Sequence, residues 1–278
     1  RRLVDAAAFT GANAVKFQAF DPDALVAPGH AQRAMLGPLA LTEGQFRQIK
    51  GWSHEQGLIF LCSPFDTGSV EMLARIGVPA WKVPSGEITN LGMLAQIAAY
   101  GQPMLVSTGM CILGEVERAL ETIERAGNPN VVLLHCVSAY PTPVEETNLR
   151  AMLTLKQAFG CPVGLSDHSM VAETAVAAVA LGACCIEKHL TINRNAPGPD
   201  HKASLIPDEF LAMVRAIRNV EKALGTGRKK PAQSEMATRA VARKSLFATR
   251  DIKQGEMLTA EMVRAQRPGT GLGPETVS

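Results

Sequence analysis

Apolar residues in this chain gather into seven short runs, and each run ends on polar, ionisable or small residues. The runs are Ala14–Gln18, Leu58–Ser63, Ala80–Ser85, Met104–Gly109, Val131–Cys136, Val163–His168 and Cys184–His189. Unbroken apolar runs of this length suit parallel strands buried on both faces. Between them the period becomes helical. In Glu43–Gln56, for example, Phe46, Ile49 and Trp52 recur every three residues and share one face. The same reading predicts helices over Arg1–Phe9, Glu71–Ile76, Leu91–Ala99, Glu115–Ala126, Leu149–Phe159, Val171–Leu181 and Asp208–Leu224. Strands alternating with helices predict βαβ units and a parallel sheet. The polar residues collect at the C-terminal end of every run, which is where a (β/α)8 barrel assembles its active site. The expected class is therefore α/β, a (β/α)8 TIM barrel. A barrel begins with a strand, so a helix in first place and a count of seven predict that one strand lies upstream of Arg1.

From Gly225 to about Ala240 the pattern dissolves into GTGRKKPAQSEMATRA. The expected organisation is a barrel over residues 1–225, a linker over 226–240 and a small β-rich module over 241–278 with a turn at Lys253–Glu256. That module stops before it could close, so both ends of the chain read as truncated. Apolar residues make up 46% of the sequence, enough for a large core. The net charge of +2 is too small to imply a nucleic-acid partner. The Ala-rich stretch Met170–Ile186 carries Glu173 and Gly182, which argues against a membrane span. None of the six cysteines forms a CxxC pair, and four lie in or beside apolar runs. They read as buried free thiols of a cytoplasmic protein, with Cys184 and Cys185 facing opposite sides of a strand.

Lys16 and Lys82 are cations inside apolar runs, where an unpaired charge is expensive. Two arrangements satisfy them: ion pairs with a carboxylate such as Glu87 or Glu187, or a shared anion at the barrel mouth. Ser63, Ser85, Ser107 and Ser166 stand at equivalent strand ends and offer hydroxyl donors to a phosphate, or to a phosphate plus a carboxylate. His168 and His189 end successive strands near Asp167 and Glu187. They are either hydrogen-bonding residues or imidazole ligands suited to Mn²⁺, Fe²⁺, Co²⁺ or Zn²⁺. Ser166, Asp167 and His168 are contiguous and cannot line up as nucleophile, orienter and base, and no GxSxG turn is present. The loop Asn193–Ser204 holds two prolines together with Arg194, Asp200, His201 and Lys202, a stiff backbone suited to positioning a substrate.

The stretches AVKFQ, SPFD, KVPSGEITN, STGM, LLHCVSAYPTPVEETNLRAM, GLSDHS and IEKHLTINRNAPGPDHKAS, in this order, resemble the sialic acid synthase family. The segment ARKSLFATRDIKQGEMLTAEMVRAQRPGTGL resembles the antifreeze-like (SAF) domain of the same enzymes. The resemblance implies an enzyme that condenses phosphoenolpyruvate with an N-acetylated hexosamine such as N-acetylmannosamine. The product would be a nine-carbon 2-keto acid, formed with release of phosphate and the help of a divalent metal, Mn²⁺ first, with Mg²⁺ or Co²⁺ as substitutes.

It also implies roles for individual residues. Lys16, Lys82 and Glu87 would be catalytic, and Ser63, Ser85, Ser107 and Ser166 would hold phosphoenolpyruvate. Ser63 stands where the family commonly has threonine, and Ser138, a further contact, where some members have asparagine. His168 and His189 would be the metal ligands. Gln18, Tyr140 and Asp200 would meet the sugar or the reacting centre. Arg267 would be offered by the SAF domain of one subunit to the other subunit's site in a domain-swapped homodimer. A family glutamate for acid–base work lies on the first barrel strand, upstream of Arg1. Legionaminic or pseudaminic acid synthases share these expectations. A 3-deoxy-ulosonate phosphate synthase shares the barrel but not the SAF-like tail, and a non-catalytic sugar- or ice-binding protein has no use for the lysine, serine and histidine set.

Overall fold

The computed structural model describes residues 1–277. Seven strands fall where the apolar runs lie: β1 Ala14–Ala19, β2 Ile59–Pro64, β3 Trp81–Val83, β4 Met104–Ser107, β5 Val131–Cys136, β6 Val163–Asp167 and β7 Ile186–Lys188. All pairings are parallel, β1 with β2 and β3 to β7 in chain order, and β2 runs alongside β3. Lys16 on β1 and Lys82 on β3 both reach Glu187 on β7. The strands therefore curl around one interior until the first and last of them face each other across it, as the barrel reading requires.

The helices are α1 Arg2–Phe9, α2 Pro22–Leu25, α3 Gln32–Leu36, α4 Glu43–Glu55, α5 Thr67–Ile76, α6 Leu91–Ala98, α7 Leu113–Arg125, α8 Ala151–Phe159, α9 Glu173–Ala180, α10 Pro207–Leu224 and α11 Met236–Ala242. Their limits follow local chemistry. A capping box starts α4: Thr42 Oγ1 accepts the Gln45 N–H, while Gln45 Oε1 accepts the Thr42 N–H. Asp66 caps α5 through the Ser69 N–H at 2.7 Å, and Gly77 ends it at φ +78°. The main core lies between the outer face of the sheet and these helices. Trp81, Val83, Met104, Val106 and Leu133 point outward into it and meet Phe46, Leu73, Leu94 and Ile123. Alternation along each strand then leaves the other set of side chains, Lys16, Lys82, Ser107 and Glu187 among them, for the interior.

A second compact unit begins at Gly225. It holds an antiparallel pair, β8 Ser245–Ala248 with β9 Val263–Gln266, and the Glu256 N–H closes the turn at Lys253 over 3.1 Å. The stretch read as a linker is not featureless. Once GTGRKKP gives way to Met, Ala, Arg and Val, which favour helix, α11 forms within it. All six cysteines are free, and Cys184 and Cys185 precede β7 instead of opening it. Among the described residues no helix is long and apolar enough to cross a membrane.

Candidate active site

At the C-terminal ends of the strands, Glu187 sits between two ammonium groups. Lys16 Nζ lies 3.6 Å from its Oε2 and Lys82 Nζ 3.5 Å from its Oε1, and the Ser166 hydroxyl donates to Oε1 at 2.8 Å. Burial would raise the Glu187 carboxyl, but Lys16 and then Lys82 outweigh it and hold the group well below the usual carboxylate range. Burial likewise lowers Lys82, and Glu187 draws it back up. The ion-pair arrangement is thus present, and both lysines share one carboxylate. Two cations against one anion leave a positive charge uncompensated among these three groups.

Hydroxyl donors surround that charge. Lys82 Nζ donates to Ser107 Oγ at 2.8 Å, and the Gly109 N–H donates to Ser85 Oγ at 3.0 Å. Both oxygens accept in these bonds; the Ser107 proton is left for something else, while the Ser85 hydroxyl also reaches Cys136 Sγ. Ser63 Oγ is buried with no hydrogen-bond partner, the one such side-chain atom among the described residues. A buried hydroxyl left unpaired is costly, and a ligand that accepts its proton removes the cost. Ser138 Oγ lies 4.0 Å from Cys136 Sγ. A Cβ on Gly109 would overlap Ser138 Oγ and stand 2.8 Å from Ser85 Oγ, so any larger residue here must push the serines aside. Gln18 is exposed at the tip of β1, opposite Ser63 in register.

The histidines form the second half of the site. Their ring centroids are 5.2 Å apart, and the Tyr140 ring covers both, at 4.1 Å from His168 and 5.7 Å from His189. His168 Nδ1 meets the Val137 carbonyl at 2.8 Å. A carbonyl only accepts, so Nδ1 carries a proton, and in the neutral ring Nε2 is the nitrogen that keeps a lone pair. Burial, reinforced by Lys16, pushes His189 down to about 4, so its imidazole is neutral near pH 7. Asp200 Oδ2 lies 3.6 Å from His189 Nδ1. The loop that carries Asp200 is tied down: Arg194 pairs with Glu209 on α10 and donates to the Ser204 carbonyl at 3.1 Å. Burial pushes the Tyr140 phenol up, so it remains a proton donor.

Not every expected residue joins these clusters. Glu87 lies in a 3-10 turn after β3, where it accepts from Asn90 Nδ2 at 2.9 Å. Arg267 follows β9 in the second unit and is exposed. The expectation that Asp167 accompanies the histidines is corrected. Asp167 faces away from the interior and pairs with Lys188, whereas Glu187 faces inward. Period-two alternation puts Glu187 and His189 on one face and Lys188 on the other, but does not say which face is inside. Gly109 and Cys136 are further residues of the site that the strand pattern did not single out.

Over residues 3–229 the chain matches the NeuB family, and over residues 243–277 the SAF domain. It is 40% identical over 296 residues to the N,N'-diacetyllegionaminic acid synthase of Legionella pneumophila, covering 100% of this chain and 83% of that protein. It is 37% identical over 288 residues to the pseudaminic acid synthase of Campylobacter jejuni, covering 99% and 84%. The solved N-acetylneuraminic acid (sialic acid) synthetase of Leptospira borgpetersenii superposes with a TM-score of 0.80 at 34% identity, covering 85% of this chain and 83% of that one. A match over residues 3–229, together with relatives covered over more than four-fifths of their length, decides the matter: the chain belongs to the NeuB family.

Proposed function

We propose that this chain condenses phosphoenolpyruvate with an N-acetylated hexosamine, forming a sialic acid-type nonulosonic acid and releasing phosphate. The observation that carries the reading is the unpaired Ser63 hydroxyl beside a cationic interior. Together with the free proton of Ser107 and the hydroxyl of Ser85 it forms a cradle for an anion with many acceptor oxygens. Carbon 3 of phosphoenolpyruvate attacks the aldehyde of the open-chain sugar, and water adds at the resulting cationic carbon 2. Cleavage of the carbon 2–oxygen bond then expels phosphate. Lys16 and Lys82 hold the carboxylate and phosphate so that the reacting carbons meet. Gln18, Tyr140 and Asp200 would meet the sugar, with Glu87 reaching it from the turn after β3, and Ser138 and Ser166 would complete the polar wall.

His168 and His189 would hold a divalent cation, Mn²⁺ foremost, with Mg²⁺ or Co²⁺ as alternatives. The donor set suits this: two imidazoles, His168 with its Nδ1 proton fixed by a backbone carbonyl and His189 held neutral by burial. No group of three or more His, Cys, Asp or Glu is gathered among the described residues, so water and substrate oxygens would complete the coordination. The cation supplies Lewis-acid polarisation of the aldehyde.

The SAF match supports a domain-swapped homodimer in which Arg267 serves the partner's site. Mixing Arg267→Ala chains with His189→Ala chains should restore activity if subunits exchange. Six free thiols support a reducing, cytoplasmic setting. The test of function is incubation with phosphoenolpyruvate, Mn²⁺ and a panel of N-acetylated hexosamines, following phosphate release and product mass. No phosphate release with any of these sugars would overturn the reading. A second reading, a diacetylated acceptor leading to a legionaminic acid, is favoured by 40% identity to the legionaminic enzyme against 34% to the sialic acid synthetase.

A further inference from the structure

The strand ends that carry His168 and His189 have a second, dry side. Asp167 and Lys188, each one residue ahead of a histidine, point outward. Lys188 Nζ lies 2.6 Å from Asp167 Oδ2, with only 1% and 2% of the two side chains exposed. Asp167 Oδ1 accepts the Ser169 N–H at 2.8 Å, and Oδ2 also accepts the Thr174 hydroxyl at 2.7 Å. Lys188 directs its remaining protons to Ser169 Oγ and the Val171 carbonyl, both at 3.3 Å. The network therefore grips residues on both sides of His168 and the residue before His189. It also ties both strand ends to the start of α9.

We propose that the Asp167–Lys188 pair is a positioning device that sets the spacing of the two histidine rings, and through it the affinity for a divalent cation. The inference rests on the metal reading given above. Its physical basis is the register. The β6–β7 ladder runs through Leu165↔Ile186 and Ser166↔Glu187 and ends at Asp167↔Lys188. Both histidines sit one residue past that last pair, where the ladder ends. The ion pair locks the final rung through its side chains, and metal sites tolerate only a few tenths of an ångström of error. Stability alone does not call for it, since a buried ion pair is commonly replaceable by apolar residues at no loss.

The test uses the full chain and Mn²⁺ without substrates. Asp167→Asn/Lys188→Met removes both charges, which avoids stranding one of them. It should retain the wild-type circular dichroism but bind Mn²⁺ about tenfold more weakly by calorimetry, the low end for outer residues of metal sites. The KM for phosphoenolpyruvate should stay unchanged at saturating Mn²⁺. A purely structural role would lower the melting temperature and leave the Mn²⁺ affinity of the folded chain intact, which overturns the proposal. If the double variant does not fold, the milder Asp167→Asn decides by the same criterion. His168→Ala is the control. If it loses Mn²⁺ while the double variant keeps it, the metal reading stands and the positioning role falls. If His168→Ala binds like wild type, both fall.

Discussion

Glu187 and Lys188 are neighbours on β7 and belong to two ionic networks of opposite character. The outer one is closed: a 2.6 Å contact, almost no exposure, and hydrogen bonds to spare on neither partner. The inner one is slack. Its charges stand 3.5 and 3.6 Å apart, Glu187 and Lys16 keep 16% and 21% of their side-chain surface, and an adjoining hydroxyl has no partner. Buried polar groups are worth most when every member is satisfied. The contrast therefore separates scaffold from site with no appeal to residue type, because both networks are built from lysine, carboxylate and serine. A tight network has no capacity for a ligand, and a loose one with unspent donors does.

The sharpest way to break the comparison is to cut the inner side at its histidines. His189→Ala should abolish calorimetric Mn²⁺ binding and lower turnover roughly a thousandfold, about 4 kcal/mol of transition-state stabilisation. Unchanged Mn²⁺ affinity would remove the metal from the site. Next in size is Lys82→Ala, which should raise the dissociation constant for phosphoenolpyruvate about a hundredfold, near 3 kcal/mol. Lys82→Arg should fail as well, since a planar fork does not replace a compact ammonium. An unaltered constant would place Lys82 with Lys188 as a structural partner.

Gly109→Ala probes the wall of the cradle. The added methyl must displace Ser138 and Ser85, and the KM for phosphoenolpyruvate should rise about tenfold, in keeping with an overpacking penalty of about 1–2 kcal/mol. A wild-type KM would show that the two serines move aside freely. The smallest effect has two signs. Ser63→Ala should weaken phosphoenolpyruvate binding about fivefold, roughly 1 kcal/mol, while raising the melting temperature of the ligand-free chain by about 2–4 °C. A loss on both measurements would mean that Ser63 is an ordinary packing residue.

Much of this was legible in the residues. Every apolar run became a strand, because a strand buried on both faces needs continuous apolar character and little else does. The runs overshot at their tips. Cys184–His189 reads as six strand residues, but β7 spans only Ile186–Lys188; Cys184 and Cys185 still share main-chain bonds with Val163 and Leu165, and His189 lies past the last rung at the mouth. The clustering of Lys16, Lys82, Ser107 and Ser166 followed from strand ends meeting at one rim. What a single sequence withheld was orientation. Alternation says that Asp167 and His168 face opposite ways, but not which of them is inside, so Asp167 was expected near the histidines. Gly109 was hidden for another reason: a glycine after a strand reads as a turn, and the three heteroatoms around its absent Cβ come from the ends of two other strands, β3 and β5.

The pairing of two ammonium groups with one carboxylate has a consequence for how the chain is handled at the bench. A protein that stores an unbalanced positive charge in its interior attracts small anions whether or not they react. Sulfate, citrate and above all orthophosphate should occupy the cradle, so affinities for phosphoenolpyruvate will depend on the buffer chosen. Orthophosphate is also what the proposed condensation sets free. The same charge that draws the substrate in would then retain the product, and accumulated phosphate would slow the reaction as a competitor of phosphoenolpyruvate.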